Sequence, residues 1–205
     1  MRFFSARSTA ARFLRASYAD ELEKIVEHYI LLGSKRFSIV HYDDVVGKEN
    51  LTAVERALKK HNMAPVSVAA FKDRAKPDID GGVKSVVQGT PDVVILTTLY
   101  KASSDFVKAS RKAGLGAQMV SNSFPGASPL AKELGEHGAG VAVAQVVPPP
   151  TQRSRPVVRE YQEAITKLLG KKEYSFTSLE SFISAKITVE ALKRAGPRPT
   201  RESFM

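Results

Sequence analysis

The sequence predicts an α/β fold: a three-layer αβα sandwich around a five-stranded, mainly parallel, doubly wound sheet. Three observations predict it. Short apolar runs alternate with segments of helical periodicity five times between residue 20 and the proline run at Pro148. This strand–helix rhythm is the signature of a parallel sheet covered on both faces. The chain has 205 residues, 43% of them hydrophobic, enough for one sizeable core. Finally, no run of about 18 apolar residues occurs, so no transmembrane helix is encoded.

The elements follow in order. "DELEKIVEHYILLG" places Leu22, Ile25, Val26, Tyr29 and Leu32 at helical spacing, and Gly33 ends that helix. "RFSIVHY" is a short apolar run bounded by charge, a strand over Phe37 to Tyr42. "NLTAVERALKKHNM" turns Leu51, Val54 and Leu58 inward as a helix. "PVSVAAF" is a strand over Val66 to Phe71. "DIDGGVKSVVQG" is a weaker helix, since Gly81 and Gly82 each cost it about 1 kcal/mol relative to alanine. "PDVVILTT" is the clearest strand, Val93 to Thr97. "SSDFVKASRKAGLG" is a helix with Ser103 or Ser104 as N-cap and Gly114 as stop. "AQMVSNSF" is a strand ending near Ser121, "SPLAKELG" a short helix, and "AGVAVAQVV" the last strand, stopped by Pro148 to Pro150. Two helices close the chain, Val157 to Leu169 and Leu179 to Ala195. In the second, Phe182, Ile183, Lys186, Ile187, Glu190 and Ala191 recur at three- and four-residue steps.

Composition bounds the function. The chain has no cysteine, which excludes disulfides, thiolate zinc sites and a cysteine nucleophile. Its net charge of +10 invites a nucleic-acid reading, but the excess lies at the ends. Met1 to Ala19 carries four arginines and no acid, and Thr151 to Met205 eleven basic and six acidic residues. The segment between has sixteen basic and fifteen acidic residues. No stripe of interleaved aromatic and basic residues appears, so no nucleic-acid partner is expected. The first residues, "MRFFSARSTAARFLRAS", share the Arg- and Ser-rich, acid-free composition of organelle transit peptides, or form a plain disordered start. They lack the apolar stretch of a secretory signal.

In such a sheet, ligands collect beyond the carboxyl ends of the strands. The stretch "SIVHYDDVVGKEN" runs into one such loop, and its Asp43-Asp44 and Gly47-Lys48 pose three alternatives: a metal site, a phosphate cradle or a small-molecule rim. The phosphate cradle fails on spacing, because no glycine precedes Gly47 in the loop and Glu49 follows Lys48. No G-x-G-x-x-G follows any strand. A metal is disfavoured because neighbouring carboxylates at a strand end point in opposite directions, and the four histidines form no ligand pattern. A receiver-type acidic site lacks the required aspartate, since the third strand ends in Thr97-Thr98. No G-x-S-x-G elbow marks a nucleophile. No enzyme, metal or cofactor is expected. What remains are loops offering Asp43, Asp44, Tyr100, Ser103, Ser121, Asn122, Ser123 and Phe124, suited either to a small polar or amphipathic ligand or to ordinary turns and caps.

The order of features resembles a known family. "RASYADELEKIVEHYILLG", "RFSIVHYDDVVGKENLTAVERALKKHNM", "PDVVILTTLYKASSDFVKASRKAGLGAQMVSNSF", "VVPPPTQRSRPVVREYQEAITKL" and "SLESFISAKITVEALKRAG" together resemble the branched-chain amino-acid (leucine)-binding family of type I periplasmic binding proteins. These serve ABC importers as substrate-binding proteins. The resemblance implies that the loop after the first strand is a ligand-facing rim, with Val46 where an aromatic is common and Asp44 beside it. It further points to Leu99 and Tyr100, and to Ser123 and Phe124. Amino-acid binders of the family place an acidic residue near Ser123 for the ligand's ammonium, and this sequence shows none there. An aromatic acid, another small carboxylate or an amide is therefore expected as readily as an amino acid.

The resemblance also implies a periplasmic address, although no signal peptide is read in the chain, and an ABC permease as partner. It assigns residues 14–205 to the second of two lobes, with a basic start over 1–13 and the first lobe missing. Part of Leu179 to Ala195 should then be exposed apolar surface, open to self-association. The alternative is a cytoplasmic ligand-sensing domain of a regulator on the same fold.

Overall fold

A computed structural model describes residues 15–170 and 172–204. The basic start expected over residues 1–13 lies outside the described residues. Contacts divide the chain into two compact units. One is Ser17–Val146, and the other holds the residues from Val147 onward.

The first unit is the expected α/β sandwich. Its elements are α1 (Tyr18–Leu31), β1 (Phe37–Tyr42), α2 (Val45–Lys59), β2 (Ser67–Phe71), α3 (Ile79–Gln88), β3 (Val93–Leu96), α4 (Tyr100–Lys112), β4 (Gln118–Ser121), α5 (Ala127–Leu134) and β5 (Ala142–Val143). The strands order β2-β1-β3-β4-β5, and every pair is parallel. β1 and β3 are central and wholly buried. Their side chains alternate between faces, as a period of two requires. Phe37, Ile39, Val93 and Ile95 pack with Leu22 and Val26 of α1 and Val54 and Leu58 of α2. Val40, Tyr42, Val94 and Leu96 face Val86 of α3, Phe106 of α4 and Leu130 of α5.

Three details differ from the sequence reading, each for a local reason. α2 begins at Val45, a turn earlier than its apolar periodicity announces, because the Asp44 carboxylate accepts the Gly47 N–H and caps it there. α4 begins at Tyr100, so neither Ser103 nor Ser104 is its cap. Both are buried, and Ser103 Oγ donates back to the Thr98 carbonyl at 3.1 Å. The last strand pairs only over Ala142–Val143, with the Ala144 N–H reaching Ser121 O just beyond it.

Two glycines set how closely elements approach. A Cβ on Gly82 would meet the Phe71 ring at 2.8 Å, so the residue that weakens α3 as a helix lets it sit down on β2. A Cβ on Gly47 would lie 1.8 Å from the Tyr42 carbonyl oxygen, which is backbone and cannot swing away.

The second unit contains α6 (Pro156–Leu169), α7 (Phe176–Ala195) and the short α8 (Arg201–Phe204). Val158, Tyr161 and Leu179 are its buried residues, with Phe182 and Ile183 packed partly against them. Tyr161 OH accepts the Ser175 N–H and touches Ser178 Oγ, joining α6 to the capping box that opens α7. Leu179 is the one fully buried residue described in the twenty of α7, while Ile187, Val189 and Leu192 are exposed. Val157, Ile183, Ile187 and Phe204 line an open cleft of about 630 Å³ between these helices.

Replacing Gly47 by alanine should therefore destabilise the sheet unit by about 3 kcal/mol, the upper range for overpacking, because the clash is with backbone. Gly116→Ala, which has nothing within 4 Å of its added carbon, should stay within about 0.5 kcal/mol of the parent. Urea unfolding of both variants checks this.

Candidate functional site

The carboxyl ends of the strands carry the loops that the sequence reading singled out. The loop after β1 is a tight turn. The Asp43 N–H bonds to Phe71 O at 2.8 Å, and its carboxylate pairs with Lys48 at 2.9 Å. Asp44 faces elsewhere. Its Oδ1 accepts from Gly47 N at 2.9 Å, and its Oδ2 receives Arg74 through Nε at 2.8 Å and through a terminal nitrogen at 2.7 Å. The Gly47 amide first, and then Arg74, hold the Asp44 carboxyl below the usual aspartate range. The two aspartates thus serve different partners. Among the described residues no group of three His, Asp or Glu side chains could hold a metal ion.

Tyr42 links this turn to its neighbour. The Arg74 guanidinium lies 4.7 Å from the Tyr42 ring centroid, an arrangement that cation–π attraction favours. The Tyr42 hydroxyl accepts the Leu99 N–H at 3.3 Å. Burial is the main cause that raises the Tyr42 pKa, so the phenol stays protonated near neutrality. In the loop after β3, Thr97 donates to Val40 O at 3.1 Å and Thr98 is paired with Ser103. These buried hydroxyls fix the backbone while Leu99 and Tyr100 reach outward, 37% and 40% exposed. Val46 is 40% exposed at the start of α2.

The loop after β4 lies beside that of β3 because the strands are neighbours. Ser123 donates to Glu21 through its N–H at 2.7 Å and its hydroxyl at 2.9 Å. Phe124 packs edge-on against Tyr18, ring centroids 5.6 Å apart. Asn122 is fully buried, and its Nδ2 has no partner among the described residues.

Of the residues expected to face a ligand, Val46, Leu99 and Tyr100 are exposed on this edge. Ser123 and Phe124 are held half-buried there, and Asp44 is engaged through both oxygens. The sequence reading missed four others: Tyr18, Glu21, Tyr42 and Arg74. An acid does stand near Ser123. It is Glu21, on the first turn of α1, 102 residues earlier in the chain. The "SYADE" segment held the signal, since Tyr18 and Glu21 are three residues apart and share a helix face.

The profile of the family described as Periplasmic binding protein matches residues 8–205. The chain belongs to that family. A substrate-binding periplasmic protein from Ralstonia solanacearum is 31% identical, with a TM-score of 0.82 over 93% of this chain and 54% of that one. A possible leucine/isoleucine/valine-binding protein from Rhodopirellula baltica is 26% identical, with a TM-score of 0.83 over 93% of this chain and 53% of that one. A branched-chain amino-acid ABC transporter protein from Thermus thermophilus with bound valine shares the fold, with a TM-score of 0.79 at 19% identity over 92% and 50% of the two chains. No curated protein matches. The chain spans about half the length of these structures. Proteins of this family bind solutes. A cytoplasmic sensing domain gains no support from these neighbours. Among the described residues no helix is long and apolar enough to cross a membrane.

Asp44 gives this edge a pH signature. Its carboxyl is lowered in the fold, so its contribution is full above the ordinary aspartate range and is lost as the pH falls through its folded value. At neutral pH Asp44→Ala should cost about 1 kcal/mol, the usual worth of an N-cap. That difference should shrink on acidification, and Asp44→Asn, which keeps an acceptor for Gly47, should cost less. Urea midpoints of the three proteins across the acid range check it.

Proposed function

We propose that the sheet unit forms one wall of the ligand site of a periplasmic solute-binding protein that serves an ABC importer. The ligand is an amino acid or a related small carboxylate or amide. One observation carries this reading: in a chain of the periplasmic binding protein family, exposed Val46, Leu99 and Tyr100 stand on the carboxyl edge of the sheet, where the Tyr42–Leu99 bond joins two of the loops. Apolar and aromatic side chains with a few polar groups suit a small amphipathic molecule. The bound valine of the Thermus neighbour and the possible leucine/isoleucine/valine binding of the Rhodopirellula one favour aliphatic amino acids. Glu21, buried with both carboxylate oxygens bonded to Ser123, holds the loop after β4 in place beside that edge.

On this reading the chain binds and releases its ligand without turnover and works in the periplasm with an ABC permease. Because the chain spans about half of its neighbours' length, the opposite wall comes from another stretch of polypeptide. The sheet unit corresponds to one lobe. The exposed Ile187, Val189 and Leu192 of α7 offer a surface for self-association when that stretch is absent.

A thermal melt of the purified chain with and without aliphatic amino acids, aromatic acids and short amides tests the reading. A ligand at about 100 times its dissociation constant adds roughly 2.7 kcal/mol, so a binding class should raise the melting temperature by several degrees. A cooperative melt unmoved by every compound at millimolar concentration would reject binding by this chain.

A further inference from the structure

The loop after β2, one of the carboxyl-end loops of the sheet, holds a cation that is not among the ligand-facing residues the family resemblance points to. Arg74 is fixed on two sides, by the Tyr42 ring at 4.7 Å and by Asp44. Both of its bonds to Asp44 end on the same oxygen, Oδ2. A guanidinium has five N–H donors in a planar fork. The Nε–H donates to Asp44 and one terminal nitrogen stands 2.7 Å from the same oxygen, and the fork has no other acceptor among the described residues. The side chain remains 46% exposed.

The other carboxylates of this loop each bond backbone through one oxygen and make no ion pair with Arg74 among the described residues. Asp73 accepts from the backbone N–H groups of Ala75 and Lys76, and Asp78 caps α3 by accepting from Gly81. Lys72 and Lys76 on the same loop make no ion pair among the described residues. The loop's own acids thus bond its backbone, Arg74 pairs with Asp44 outside the loop, and Lys72 and Lys76 are exposed. Arg74 is also tied to the apolar edge. Its partner Asp44 is two residues from Val46, and the ring beneath it belongs to the tyrosine that accepts the Leu99 N–H.

We propose that Arg74 is a specificity-determining residue that selects a carboxylate on the ligand, its preset guanidinium holding the anion while Val46 and Leu99 receive the apolar body. This rests on the reading of the carboxyl edge as the ligand site and adds a preference to it: an aliphatic or aromatic monocarboxylate over its amide. A fixed guanidinium gains on a carboxylate through charge-assisted, paired hydrogen bonds, whereas the uncharged amide offers a single neutral acceptor.

Nitrogen–proton correlation spectra of the labelled full chain, recorded near pH 6 so that arginine side-chain signals persist, test the proposal. The probes are isovalerate, isovaleramide, leucine and, at matched ionic strength, sodium chloride. Isovalerate should shift the Arg74 Nε–H signal and the Val46 and Leu99 amides along one saturable curve. Isovaleramide should bind about tenfold more weakly, and chloride should leave the signals in place. Arg74→Gln should remove the preference, and Arg74→Lys should keep part of it. If the glutamine variant disturbs the α2 cap, the contrast between acid and amide on the parent protein decides alone. Equal binding of acid and amide, an acid preference that survives in a folded Arg74→Gln variant, or shifts reproduced by chloride would overturn the role of Arg74. If leucine or isovaleramide moves the Val46 and Leu99 amides without Arg74, the ligand site stands and only this inference fails. If no probe moves them, both fall.

Discussion

The carboxyl edge of this sheet depends on a single close approach, that of Gly47 to the backbone of Tyr42. The chain leaves the central strand at Tyr42 and is helical again by Val45. So short a return is open only because Gly47 has no side chain where the Tyr42 carbonyl stands. It places Asp44 where its carboxylate caps the new helix and still has an oxygen for Arg74. It leaves the Tyr42 ring under the guanidinium and the Tyr42 hydroxyl within reach of Leu99. Three loops from three neighbouring strands are thereby fixed to one tyrosine. A binding surface built this way is set before the ligand arrives, which reduces the ordering cost of binding.

The opposite edge of the sheet shows a different use of charge. There Asp92 accepts from the backbone of Lys35 and Arg36, and Arg36 donates to Gly89 and Thr90. These groups close turns and leave little to offer a ligand. At the carboxyl edge, by contrast, the buried hydroxyls of Thr97 and Ser121 donate to the strand-end carbonyls of Val40 and Leu96, and that of Thr98 pairs with Ser103. That frees the following residues to point outward. The same chain thus uses Asp92 and Arg36 for backbone turns at one end, and at the other ties its loops through Asp44, Arg74 and Glu21.

Much of the fold was legible because strands and helices differ in period, and the apolar residues keep to it. β1 and β3 read as strands from Phe37–Tyr42 and "PDVVILTT" alone, and full burial explains why β3 shows a continuous apolar run instead of alternation, while β1, equally buried, carries Ser38 and His41. What could not be read are features made by contacts distant in sequence. Glu21 meets Ser123 across 102 positions, and a search for an acid around Ser123 passes over it. Gly82 counts against a helix by propensity, yet the Phe71 ring requires it. Asp44 looks like a ligand group in the sequence because a cap and a rim residue use the same amino acid in the same place. Ser103 and Ser104 look like caps, but the helix has begun at Tyr100 with Leu99, which has no side-chain acceptor to announce it.

Hydrogen exchange of backbone amides, followed by mass spectrometry with and without leucine and isovalerate, tests most directly whether the carboxyl edge is one ligand surface. Slowed exchange is expected in residues 43–48, 98–103 and 122–126 together, with the turns at 33–36, 63–66 and 89–92 unchanged. Slowing confined to the latter turns, or no change in any segment at concentrations that shift the melt, would contradict it.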